Sequence, residues 1–222
     1  MRDLLRAVAT QRALTDEVIV LFSGGKDSVV TLDLCRRYFP RVRMVFMYYV
    51  KGLAFQEQII RYYENLYGIE CERVPHFELS NFLRYGTFRP HDMSVPILKT
   101  ADIYNHAREL TGIHWIAGGE RAADSLVRNA MIKASGSIDQ KRGRFYPLAE
   151  WTKADVTNYI KKYKLKVGAE SRELGFSFRS LEYKCLRVIR ADYPGDFAKI
   201  QEWFPLVEVE MKRGDCIAED EI

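Results

Sequence analysis

The sequence predicts an α/β protein: a doubly wound, mostly parallel sheet with helices on both faces, followed by a helical C-terminal extension. Two observations carry this. Apolar, β-branched runs recur at 18–22, 42–50, 69–74 and 113–117, separated by helical periodicities, which is the pattern of right-handed βαβ units. Glycine pairs end the first and fourth runs, Gly24-Gly25 and Gly118-Gly119. In a doubly wound sheet such turns flank the crevice where strand order reverses, and ligands bind there.

Taken in order, residues 2–14 place Leu4, Leu5, Val8 and Ala9 on one face of a helix expected to cover the sheet edge. The run 18–22 then stops at Ser23-Gly24-Gly25-Lys26-Asp27-Ser28 and passes into the helical pattern 29–34. Strand, tight loop and helix in that order aim backbone N–H groups and a helix N-terminus at one point, where an anion is stabilised. That point is predicted to hold phosphate. Gly24 and Gly25 let the backbone approach a ligand, Lys26 adds a mobile charge, and Ser23 and Ser28 supply hydroxyl donors. Asp27 leaves two readings: a Mg²⁺ between it and the phosphates, or an acid that caps the helix and orients Lys26. The loop is not a Walker A motif, because Gly-Gly-Lys is contiguous.

A strand at 42–50 follows Pro40, then a helix at 55–67 ending at Gly68, then the strand 69–74. The loop 49–53 leaves the carboxyl end of a strand and is a place for adenine. Residues 76–97, broken by Gly86, Pro90 and Pro96, read either as a lid or as surface loop. After a helix at 101–110 and the strand 113–117 comes Gly118-Gly119-Glu120-Arg121. Arg121, Ser125 and Arg128 recur at four- and three-residue intervals, which puts them on one face of a short helix. Two guanidiniums and a hydroxyl there suit a substrate phosphate or sulfate, and the alternative is simple pairing with Asp124 or Glu120. Thr152 and Asp155 mark a helix start.

The chain of 222 residues carries a net charge of +4, too little by itself to imply nucleic acid. The stretch 121–144 is basic and 208–222 acidic, so contact of the basic stretch with nucleic acid is left open. No apolar run approaches the ~20 residues of a membrane span, and the N-terminus lacks a signal-peptide core, so a cytoplasmic protein without membrane contact is expected. Cys35, Cys71, Cys185 and Cys216 form no Cys-x-x-Cys pair, from which neither zinc nor an iron–sulfur cluster is expected. The chain divides into a nucleotide-binding α/β domain, 1–165, and a helical extension, 166–222. In the extension, Leu181, Cys185, Leu186, Val188, Ile189, Phe197, Ile200, Trp203, Phe204, Leu206 and Val207 exceed what a short appendage needs. They predict a homo-oligomer or companion protein joined through 166–210, with burial within the chain as the alternative.

The hexapeptide 23–28 resembles the PP-loop of the ATP pyrophosphatase superfamily. Together with Gly-Gly-Glu-Arg, Ser125, Arg128 and Pro-Leu-x-x-Trp-Thr-x-x-Asp-Val-x-x-Tyr-Ile at 147–160, it is similar to the phosphoadenosine-phosphosulfate (PAPS) reductase family over residues 17–165. That grouping includes the small subunit of ATP sulfurylase, eukaryotic-type FAD synthetase and PP-loop proteins of DNA sulfur modification. The resemblance implies ATP with Mg²⁺, cleavage between the α- and β-phosphates, release of pyrophosphate and an adenylylated acceptor in sulfur metabolism. It assigns Lys26, Asp27 and Arg121 to catalysis, residues 23–28 with Gly118, Gly119 and Arg121 to the nucleotide, and Ser125 and Arg128 to a substrate anion. The family's reductases end in Glu-Cys-Gly-Leu/Ile-His, whereas this tail reads Gly214-Asp215-Cys216-Ile217-Ala218. A PAPS reductase using Cys216 as nucleophile is therefore the disfavoured alternative. A nucleotide-binding docking module without turnover is another.

Overall fold

Alternation along the first strand decides how the layers form. Val18 and Val20 pack on one face of the sheet and Ile19 on the other, as the period-two geometry of a strand requires. The computed structural model describes residues 5–168, 178 and 181–220, with side chains through 216. Helix α1 (Arg6–Arg12), β1 (Glu17–Leu21), α2 (Lys26–Tyr38), β2 (Arg41–Tyr48), α3 (Ala54–Tyr67) and β3 (Cys71–Pro75) make up the first half. Then come α4 (Phe77–Tyr85), α5 (Thr100–Thr111), β4 (Ile116–Ala117), a 3-10 turn (Ala122–Asp124), α6 (Leu126–Ser135), β5 (Ile138–Asp139) and β6 (Arg144–Phe145). Helices α7 (Lys153–Tyr163), α8 (Tyr183–Asp192), α9 (Pro194–Trp203) and α10 (Val207–Asp220) complete the chain.

The sheet order is β3-β2-β1-β4-β6-β5. All neighbours are parallel except β5, which pairs antiparallel with β6. Strand β1 lies between β2, where Val20 faces Met44, and β4, where Val20 faces Ala117. The chain thus winds outward in both directions from β1, and the crevice opens at the carboxyl ends of β1 and β4. Helices α1, α2 and α3 cover one face, and α5 covers the other. The predicted α/β doubly wound architecture is the one observed.

Three local readings change. Helix α1 packs on α2 rather than over the sheet edge, with Val8 buried and Ala9 exposed. Within 76–97, residues 77–85 are helix α4, capped by His76 Nδ1, which accepts from the Glu78 N–H, and ended by Gly86 at φ 79°. Gly86 ends that helix as a left-handed cap, the conformation glycine tolerates best, where the sequence reading took it as a breaker. The rest of the segment is tied down: the Leu206 N–H donates to the Phe88 carbonyl and Arg89 to that of Trp203. Residues 138–145, in a stretch read from sequence as basic, form a hairpin whose second strand enters the sheet beside β4.

The C-terminal helices bury most of the apolar side chains that predicted a partner, while Val188 and Trp203 are half-buried and Leu206 is exposed. Leu181, Cys185, Leu186, Ile189, Phe197, Ile200, Phe204 and Val207 join Tyr49, Val50, Leu53, Phe55 and Leu79 in one cluster. The surplus is consumed inside the chain, because the loop after β2 and the start of α3 present a second apolar surface to it. That removes the ground for predicting an oligomer or companion through 166–210. Asp196, 3% exposed, locks this packing: its carboxylate accepts from the Ala54 and Phe55 N–H groups at 2.7 and 3.0 Å, capping α3 from a different helix. Asp196→Ala orphans two N–H groups at a buried helix end and is expected to cost about 1–3 kcal/mol, read as a lowered midpoint in chemical denaturation.

Candidate functional site

The phosphate loop follows from how β1 ends. Gly24 takes φ 73°, which turns the chain sharply after Phe22 and Ser23, and Gly25 is the N-cap of α2 with no side-chain cap. Ser28 is buried and braces the turn: its Oγ donates to the Gly25 carbonyl (3.0 Å) and accepts from the Ser23 N–H (3.1 Å) and the Ser23 hydroxyl (3.2 Å). Ser28 therefore supports the loop, with its hydroxyl hydrogen given to the Gly25 carbonyl. The N–H groups of the first turn of α2 are left for an anion.

Gly119 explains the second glycine turn. A Cβ there would stand 3.2 Å from the Asp27 carbonyl carbon and 3.3 Å from the Ser28 nitrogen, so the turn after β4 lies directly on the first turn of α2. At Gly118, a Cβ would meet the Glu120 carboxylate, which is folded back and paired with Arg144 at 2.7 Å. The predicted facing of the two glycine turns is thus a backbone contact.

Arg121 crosses this contact. Its side chain is 6% exposed; Nε lies 3.2 Å from Asp27 Oδ1, and Nη2 bonds Asp124. Neither Nε nor Nη1 has a hydrogen-bond partner among the described residues. Lys26 Nζ lies 3.1 Å from Asp27 Oδ2. Asp27 thus orients both Lys26 and Arg121, as one of its two sequence readings expects for Lys26. It does not cap the helix.

Arg128 Nη1 meets Asp124 Oδ2 at 2.6 Å, and Ser125 Oγ accepts from the Arg128 N–H as N-cap of α6. Arg121, Ser125 and Arg128 therefore do not share a helix face: Arg121 precedes the 3-10 turn and Ser125 separates that turn from α6. Sequence periodicity implied one helix where two short elements meet. What joins the two arginines is Asp124, named in the sequence only as an alternative. Much of the basic stretch 121–144 is paired this way, since Arg142 also meets Asp139. Burial pushes the Asp124 carboxyl up, but the hydrogen bonds from Arg128 and the Arg121 N–H, with the two guanidiniums, hold it below the ordinary carboxylate range.

Of the cysteines, Cys35, Cys71 and Cys185 are buried, and burial pushes the Cys71 thiol up to about 12. Cys216 is exposed on α10, beside Asp215, which accepts from the Tyr183 hydroxyl of α8. It stands on a packed helix rather than in the tail imagined from sequence. Among the described residues no group of three or more His, Cys, Asp or Glu is placed to hold a metal, and no helix is long and apolar enough to cross a membrane.

Sheet order, phosphate loop and facing glycine turn define a nucleotide-binding protein of the PP-loop superfamily. The chain belongs to the PAPS reductase family: residues 17–169 match the phosphoadenosine phosphosulfate reductase domain. The structure is similar to that of the U34-tRNA thiolase NcsA from Methanococcus maripaludis with its [4Fe-4S] cluster, at TM-score 0.54 and 18% identity over 93% of this chain and 79% of that one. It is also similar to phosphoadenylyl-sulfate reductase from Candida auris, at TM-score 0.53 and 17% identity over 81% and 86%. No curated protein matches it by sequence search.

The thiolase corrects the cofactor expectation. A protein of this fold carries a [4Fe-4S] cluster, so missing Cys-x-x-Cys pairs are no argument against one. Cluster ligands are gathered by tertiary structure, which local spacing does not report.

Gly119→Ala is expected to displace the start of α2, since the obstructing atoms are backbone, with a stability loss of about 1–3 kcal/mol and weakened nucleotide binding by calorimetry. The depressed Asp124 carboxyl contributes stability that is present above the ordinary carboxylate pKa of ~3.9 and lost as pH falls through its folded value. Asp124→Asn should therefore lower the melting temperature at neutral pH, with the gap from wild type closing as the pH is taken below about 4.

Proposed function

We propose that the chain binds ATP with its β- and γ-phosphates on residues 23–28 and transfers the adenylyl group to an acceptor. The observation that carries this reading is Arg121, a buried guanidinium whose Nη1 has no partner among the described residues, fixed by Asp27 against the first turn of α2. An acceptor oxygen attacks the α-phosphorus, the bond from that phosphorus to the α–β bridging oxygen breaks, and pyrophosphate leaves with the electron pair. Lys26 and the loop N–H groups neutralise the charge growing on the leaving pyrophosphate. Arg121 supplies two donors from one rigid plane to phosphate oxygens, which a lysine does not reproduce. Arg128 and Ser125 stand next along the same turn, where the acceptor's anionic end would lie.

Gly118 and Gly119 let the β4 turn approach the nucleotide, and adenine rests by the loop after β2. Reduction of PAPS through Cys216 has less support, because the thiol's helix is packed on α8 and acids surround it in sequence.

Lys26→Ala removes one charge-assisted phosphate contact, worth about 1.5–3 kcal/mol, so ATP affinity should fall roughly 10- to 150-fold with folding intact. Titration calorimetry reads the affinity, and pyrophosphate release from ATP reads the reaction. Unchanged affinity would sink the phosphate-loop assignment; tight ATP binding without pyrophosphate release in the presence of candidate acceptors would favour the docking module.

A further inference from the structure

Cations on the outer side of α2, α3 and α7 are concentrated out of proportion to the chain's charge. Arg36 and Arg37 lie in the last turn of α2, Lys161 and Lys162 in that of α7, and Lys164 and Lys166 follow directly. With Asp33 counted against them the six contribute +5, beside a net charge of +4 for the whole chain. The carboxylate among them, Asp33, is buried and already accepts from Tyr67, Tyr159 and Arg37. On and after α3, Glu57 and Glu64 are paired with Arg73 and Glu70 with Arg43.

Arg37 is paired with Asp33 at 2.6 Å, and tyrosine rings lie against three of the six cations. Arg37 lies 4.1 Å from the centroid of Tyr163, Lys166 4.4 Å from that of Tyr62, and Arg36 5.9 Å from that of Tyr67. From Lys164 onward exposure alternates: Lys164 and Lys166 are exposed, Leu165 and Val167 half-buried. Lys164 is the left-handed C-cap of α7 and Lys166 lies two residues beyond it, so the cations of α7 run on into the segment that follows. The row also has a direction. The Tyr63 hydroxyl donates to the Lys166 carbonyl (2.6 Å), and the Gly168 N–H donates to the Gly24 carbonyl (2.9 Å), so its end abuts the phosphate loop.

A site for a small anion gathers its cations around one point, whereas these are strung across three elements. An acidic protein would need apolar anchors, and the rings that could serve are covered by cations. We propose that this face binds the phosphodiester backbone of a single nucleic-acid strand, laid along α2, α7 and residues 164–166 toward the phosphate loop. The contacts are to phosphate and carry no sequence preference. The proposal does not depend on ATP cleavage, because binding alone reads it.

The test is fluorescence anisotropy with nucleotide-free protein and labelled single-stranded RNA, single-stranded DNA of the same sequence, and the duplex. Either single strand is expected to bind with an affinity that falls linearly in log[salt]; the tighter arm identifies the sugar. Lys162→Glu with Lys166→Glu should weaken binding at least ~10-fold and reduce the salt slope by about 1.4. Lys133→Glu with Lys141→Glu, in the basic stretch 121–144, should bind as wild type. Circular dichroism checks that both variants fold, and one that does not is replaced by the corresponding glutamine pair. Salt-independent or absent binding, tighter binding of duplex, displacement by polyglutamate as effective as by unlabelled strand, or a larger loss in the 133/141 variant than in the 162/166 variant would each overturn the proposal.

Discussion

The site depends on a buried guanidinium. Arg121 stands between Asp27 at the start of α2 and Asp124 in the 3-10 turn, and Gly119 brings the two segments into backbone contact. Removing one partner of such a pair leaves a charge in a poorly solvating interior, at a cost of about 3–5 kcal/mol. The β4 turn, the phosphate loop and the start of α6 therefore behave as one unit. Buried donors on Arg121 without a partner among the described residues are costly to maintain, and the phosphate of the proposed ligand would complete them.

Helix α2 is held at both ends by different means. At its N-terminus Ser28 closes the loop with three hydrogen bonds. Two turns further on, Asp33 takes up the hydroxyls of Tyr67 from α3 and Tyr159 from α7 together with the Arg37 guanidinium. A buried carboxylate is tolerable there because its oxygens are satisfied by donors from three helices. The helix that presents its N-terminus to the proposed phosphates is thus fixed along its length, which suits electrostatic stabilisation that requires no reorganisation.

The comparisons with solved structures establish a fold, and folds of this kind host different chemistries. The chemistry open to this chain is set by its own side chains. Asp27 is neutralised by Lys26 and Arg121, Glu120 is drawn away by Arg144, and the C-terminal helices are anchored through Asp196 rather than left to a partner.

Local sequence by itself determined four of the six described strands, the phosphate loop, the two glycine turns and the capped start of α7, because each depends on periodicity, glycine conformation or capping within a few residues. Thr152 and Asp155 do form the reciprocal cap that their spacing announces. Tertiary structure alone decided what those pieces meet. Asp124 joins Arg121 to Arg128, Asp196 caps a helix some 140 residues earlier in the chain, and the C-terminal apolar side chains find their partners around Tyr49 and Leu53. Charge pairing and burial act between segments brought together by folding, so neither the partner of a carboxylate nor the surface that an apolar face covers is written in its own neighbourhood.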